Sequence, residues 1–155
     1  MTHNHHVELT DYQALAEFRY QIRRFLRFSE AAARKTQIEP QQHQLMLAVK
    51  GAPASEVPRI GYLAERLQVQ HHSAVELVDR MAKKGLIKRV RGESDRREVL
   101  VRLTPRGDRV LAELTQHTRA ELRSAAPALV ASLRELTVRA SQSSRPAKRQ
   151  KAGAA

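Results

Sequence analysis

The sequence predicts a mainly α fold, interrupted once by a two-stranded hairpin. Apolar residues recur at steps of three and four along most of the chain. The stretch "EVLVRL" instead alternates charged and apolar residues. Helix-punctuating residues (Pro40, Gly51, Pro58, Gly85 and Pro105) fall at the ends of the periodic runs. At 155 residues the chain has the usual size of one domain with a modest core.

The first helix is expected from Thr10, where "TDYQ" has the Thr-to-Gln spacing of a capping box and Leu9 stands ready as a staple. Residues 1–9, with three histidines in "MTHNHHVE", read as a disordered terminus. Leu15, Phe18, Ile22, Phe25, Ser29 and Ala32 then form a narrow heptad-like seam that needs a partner to cover it. Pro40 opens a second helix that Gly51 ends, and "APASEVP" reads as a loop. Pro58 opens a third helix, "RIGYLAERL", and after the break "QVQ" comes "HHSAVELVDRMAKKG". The apolar face of that fourth helix is Val75, Val78 and Met81 with Leu77 and Ala82, its stop Gly85. "LIKRV" and "EVLVRL" are strands joined by the turn "RGESDR", a hairpin with a basic rim. Thr104 caps a further helix with Pro105 in its first turn, and Pro127 is expected to break it before a last helix through Leu136. Residues 139–155 hold five basic residues, no acid and no apolar pattern, and read as a disordered basic tail.

Lys and Arg number 28 against 16 Asp and Glu, a formal net charge of +12. Such an excess favours a polyanion, either nucleic acid or an anionic membrane surface. The basic residues gather on a hairpin and a tail, not on a bulky amphipathic helix, so a membrane partner is not expected. Nor is a spanning helix or a signal peptide, because there is no run of 18 apolar residues and no charged-then-apolar start. With no cysteine, disulfides and thiolate metal sites are excluded, and a cytoplasmic protein is the expectation. No nucleophile-base pair, phosphate loop or metal-ligand spacing occurs, so neither an enzyme nor a cofactor is expected.

Two short helices joined by a tight turn, the second with a polar outer face, describe a helix-turn-helix. The hairpin that follows, with Lys88, Arg89, Arg91, Arg96 and Arg97 at its tip, adds a wing. In this winged helix the second helix enters the major groove of DNA, and the wing reaches the minor groove or the phosphates. Candidate base or phosphate contacts on the helix are Gln70, His71, His72, Ser73, Glu76 and Arg80. His71 and His72 are adjacent, which argues against a two-histidine metal site. On the wing the candidates are Arg91, Arg96 and Arg97, with Asp95 orienting an arginine.

The segments "LAERLQVQHHSAVELVDRMAKKGLIKRV" and "DRREVLVRLTPRG" resemble the MarR family of winged-helix transcriptional regulators. The wing pattern is matched at Asp95, Arg97, Leu103, Thr104 and Gly107, and the helical order agrees over residues 10–138. Gln68 stands in the turn where the family often has Gly, and the histidine pair is a second departure. The resemblance implies a helix-turn-helix at about 59–85, a wing at about 86–103, and homodimerisation through helices 10–36 and 104–138. It implies a sequence-specific repressor on a pseudo-palindromic operator of double-stranded DNA, released by a small aromatic or anionic effector. Arg19, Arg23 and His43 are the candidate effector-binding residues. A protein-interaction adapter on the same fold and a non-specific architectural DNA-binding protein are the alternatives.

Overall fold

The computed structural model describes residues 7–92 and 97–143. Their order is α1 (Leu9–Lys35), α2 (Pro40–Lys50), α3 (Ile60–Leu67), α4 (His71–Lys83), β1 (Ile87–Arg91), β2 (Val99–Leu103) and α5 (Pro105–Ser143). The chain divides into two compact units. One is Arg27–Ala120; the other takes the described residues up to Leu26 and from Glu121.

The Arg27–Ala120 unit holds the core. Leu45 and Met46 of α2, Leu63 of α3, Val78 and Met81 of α4, Val101 of β2 and Leu114 of α5 are among its fully buried side chains. On α4 the inward face is Ala74, Leu77, Val78 and Met81; Val75 is only half-buried, because the small Ala74 takes the closest approach to the core. β1 and β2 are antiparallel, with Ile87 opposite Leu103 and Arg91 opposite Val99. A single bridge from Arg59 to Leu100, with Val101 N–H donating to the Pro58 carbonyl at 2.9 Å, ties the entry of α3 to the same sheet.

Three helices of this unit end in one device, a left-handed residue after the last turn that lets two backbone N–H groups cap orphan carbonyls. After α1 it is Gln37 (φ 60), after α3 Gln68 (φ 54) and after α4 Gly85 (φ 69). In each case the following residue, Ile38, Val69 or Leu86, closes the six-to-one hydrogen bond at 3.0–3.2 Å.

In the second unit, α1 begins one residue earlier than "TDYQ" predicts. Asp11 Oδ2 accepts the Glu8 N–H at 2.9 Å, so the cap is built by Glu8 and Asp11 while Thr10 lies inside the helix. The buried positions are Ala14, Gln21 and Ser132; Leu15 is exposed, and Phe18, Ile22 and Phe25 are half-buried. The helix break expected at Pro127 does not occur, and α5 runs through it to Ser143, past the expected boundary at 139. Proline removes one hydrogen bond and costs about 3 kcal/mol. The flanking "SAA" and "ALVASL" favour helix on both sides strongly enough for the remaining ladder to absorb that cost.

Candidate nucleic-acid interface

The left-handed Gln68 turns the chain sharply between α3 and α4, and its own Nε2 donates to the Glu65 carbonyl at 2.8 Å. Gln70 is then extended (φ −67, ψ 151) as the N-cap of α4, with no side-chain cap bond. The first-turn N–H groups of a helix have no intrahelical acceptor. Here they sit beside His71, His72 and the half-buried Ser73. Both histidines are exposed, as are Glu76, Arg80 and Lys83 farther along α4, while Leu77, Val78 and Met81 point inward. The polar outer face read from the sequence is therefore present as one surface.

β1 and β2 put Lys88, Arg89, Arg91 and Arg102 on the surface, and Arg97 is exposed just before β2. The register sets Lys88 directly opposite Arg102. Like charges at such a pair destabilise a sheet. Arg89 is held by Asp79 of α4 at 2.9 Å, which ties the wing strand to α4. Glu98 binds Arg59 at 2.9 Å, and Gly92 N–H donates to the Glu98 carbonyl at 2.9 Å, closing the base of the wing. Asp95 and Arg96 lie outside the described residues.

Three successive carbonyls after α4 are stitched to the start of α5. Lys84 accepts from Arg106 Nη1 at 3.0 Å, Gly85 from Thr104 Oγ1 at 2.7 Å, and Leu86 from the Thr104 N–H at 3.1 Å. Thr104 Oγ1 also caps the Gly107 N–H at 3.0 Å. A Cβ on Gly107 would run into the Leu86 carbonyl, so only glycine permits this approach. From the other side, Lys84 Nζ reaches Gln42 Oε1 at 3.0 Å and the Gln37 carbonyl at 3.4 Å. The C-terminal end of α4 is thus fixed by the turn after α1, by α2 and by the start of α5 together.

Sequence reasoning missed Asp79, Arg59, Glu98 and the Lys88–Arg102 pair. Only the alternation of "EVLVRL" signalled the last of these, by placing Arg102 on the outer face. Of the effector candidates, Arg19 and Arg23 are exposed on the part of α1 before Leu26, whereas His43 belongs to the other unit and is buried. Its Nε2 has no hydrogen-bond partner among the described residues, and desolvation pushes its pKa below 6.5. A groove of about 540 Å³ along the α2–α3 loop and α3 is lined by Glu56, Arg59, Tyr62, Glu65 and Arg66 among others; none of the three candidates lines it. No helix among the described residues is long and apolar enough to cross a membrane.

The MarR family profile matches residues 36–98, from the end of α1 to the foot of β2. An uncharacterized HTH-type transcriptional regulator of Bacillus subtilis (strain 168), YsmB, is 36% identical over 55 residues, a match spanning 36% of this chain and 38% of that protein. A MarR family protein from Bacillus stearothermophilus shares the fold with a TM-score of 0.69 at 21% identity, covering 90% of this chain and 99% of that one. BpsR of Bordetella bronchiseptica, whose DNA binding is regulated by 6-hydroxynicotinic acid, gives 0.59 at 17% identity over 79% of this chain and 89% of its own. The sequence match to the MarR family falls on the helix-turn-helix and first wing strand built above, and the solved structures share the mainly helical winged fold around them.

Proposed function

We propose that the protein is a sequence-specific, double-stranded DNA-binding transcriptional repressor that acts as a homodimer on a pseudo-palindromic operator. The observation that carries this reading is the crowding of cations on the wing, where Lys88 stands opposite Arg102 and Arg91 lies exposed nearby. A fold accepts mutual repulsion at such a site when a polyanion relieves it, and a phosphate backbone does so with release of counterions. α4 supplies Gln70, His71, His72, Ser73, Glu76 and Arg80 to the major groove, and the wing tip, with Asp95 and Arg96, supplies the minor-groove contact. Dimerisation is supported by the apolar residues that α1 and α5 leave exposed, Leu15 and Leu133 among them. The Arg19 and Arg23 guanidinium groups, one turn apart on α1, suit a small aromatic anion of the kind that regulates BpsR.

Selection of duplexes from a random library by the full-length chain tests the reading. Enrichment of an inverted repeat with half-sites about one helical turn (roughly 34–36 Å) apart is the expected result. Arg91→Ala and Arg97→Ala should weaken binding to every duplex and lessen its salt dependence. A protein that retains random DNA at low salt but enriches no sequence is an architectural binder instead.

A further inference from the structure

α4 carries two acidic side chains in the midst of its polar face, and the structure treats them differently. Asp79 is half-buried and spent on Arg89 at 2.9 Å. Glu76 is exposed, and no hydrogen bond or ion pair occupies it among the described residues. His72 lies one turn before it and Arg80 one turn after, on the same stripe of the helix. Yet no Glu76–Arg80 pair forms. Nor does helix electrostatics account for the residue, since Glu76 lies beyond the first turn, where the dipole would favour an anion.

An unpaired carboxylate on a surface that approaches DNA meets a dense row of phosphates and is repelled by them. It is compensated where a base offers it an N–H donor. In the major groove the donors are the exocyclic amines of cytosine and adenine. Adenine sets its N7 acceptor beside the amine, a pattern that suits an amide and opposes a carboxylate. Cytosine N4 has no such neighbour on its own ring, and Glu or Asp is its natural acceptor.

We propose that Glu76 reads a cytosine, so that each half-site carries one C·G pair beneath the N-terminal half of α4. The proposal rests on the DNA-binding reading above and names one letter of what is read.

The test uses the full-length chain and the duplex it enriches from a random library. Each base pair of the half-site is exchanged in turn, and affinities are measured for the wild type, Glu76→Gln and Glu76→Ala. Because Glu76 is exposed, both variants should fold, which far-UV circular dichroism verifies. The wild type should prefer C·G at one position by roughly ten- to a hundredfold. Glu76→Ala should lose that preference at that position alone, and Glu76→Gln should shift it towards adenine. If Glu76→Ala tightens binding to all duplexes equally and keeps every preference, Glu76 merely repels phosphate and the proposal is overturned. A change confined to a pair other than C·G overturns it too, with the DNA-binding reading intact. A wild type that enriches no duplex overturns that reading itself, and the cytosine contact with it.

Discussion

Between Arg27 and Ala120 the large apolar side chains left exposed are Phe28, Leu47 and Val99. In the other unit they are Val7, Leu9, Tyr12, Leu15, Tyr20, Leu26, Leu122, Val130, Leu133 and Val138. The buried cluster from Ala33 to Leu114 falls wholly within the first unit, whereas the second buries Ala14, Gln21 and Ser132, all small or polar. One region closes its own core with a single chain. The other leaves many large apolar side chains in water, and a second copy that covered them would bury that surface.

The largest effect should come from attacking that surface. Leu133 is 48% exposed, so Leu133→Asp costs the single chain little. Against a second copy it would desolvate a charge. Sedimentation should find the variant at the 17.6 kDa of one chain and the wild type at twice that. Its affinity for a duplex with both half-sites should fall by about a hundredfold or more as bivalency is lost. Hydrogen-exchange protection of α4 and β1 should be unchanged. A wild type that stays monomeric at micromolar concentration breaks the comparison, because the exposed apolar residues would then be simple surface.

Gly107→Ala attacks the closed unit instead. Alanine normally stabilises a helix relative to glycine by about 0.5–1 kcal/mol. Here the added Cβ meets the Leu86 carbonyl, and the stitching of Thr104 and Arg106 to the end of α4 must shift. Overpacking of this kind costs about 1–3 kcal/mol. The expected result is a lowered unfolding midpoint in urea. A raised midpoint would mean that the α4–α5 junction gives way easily and that the unit is less tightly tied than its hydrogen bonds imply.

The features legible in the sequence are those written in local pattern. Period-two alternation marks the wing, Gly85 the end of α4, and Thr104-Pro105 the start of α5. What was missed depends on partners distant in the chain or on size. Arg59 finds Glu98, and Asp79 finds Arg89, only after the sheet has formed. The three-and-four spacing of the α1 seam includes Ser29, which is buried, and Leu15, which is exposed, whereas close packing within the chain selects the smaller Ala14 beside Leu15. Pro127 was weighed alone, and helices are stabilised by their whole length. At the candidate interface the contact face of α4 was readable from the 3.6 period. The opposition of Lys88 and Arg102 required the register.

His43 gives the next smaller effect. It is 2% exposed, and burial holds its pKa below the ordinary 6.5. The unfolded chain takes up a proton as pH falls through 6.5, and the folded chain declines it. Stability is therefore flat above that value and falls below it, by at most about 1.4 kcal/mol per pH unit, until the folded pKa is reached. His43→Leu should remove this slope in urea unfolding at a series of pH values. A slope that survives the substitution would assign it to another group.

The smallest effect tests the turn between α3 and α4. Gln68 occupies the left-handed region at φ 54, where a side chain with a Cβ costs about 1–2 kcal/mol. Its exposed Nε2 bond to the Glu65 carbonyl returns part of that, and the greater freedom of an unfolded glycine offsets more. Gln68→Gly should therefore stabilise the protein by about 0.5 kcal/mol, read as a raised urea midpoint. The backbone hydrogen bonds of the turn, Gln68 N–H to Glu65 and Val69 N–H to Ala64, are unaffected by the change. The preferred duplex should therefore stay the same. An altered preference would show that the glutamine side chain sets the angle of α4, and the turn would then be a reading element as well as a link.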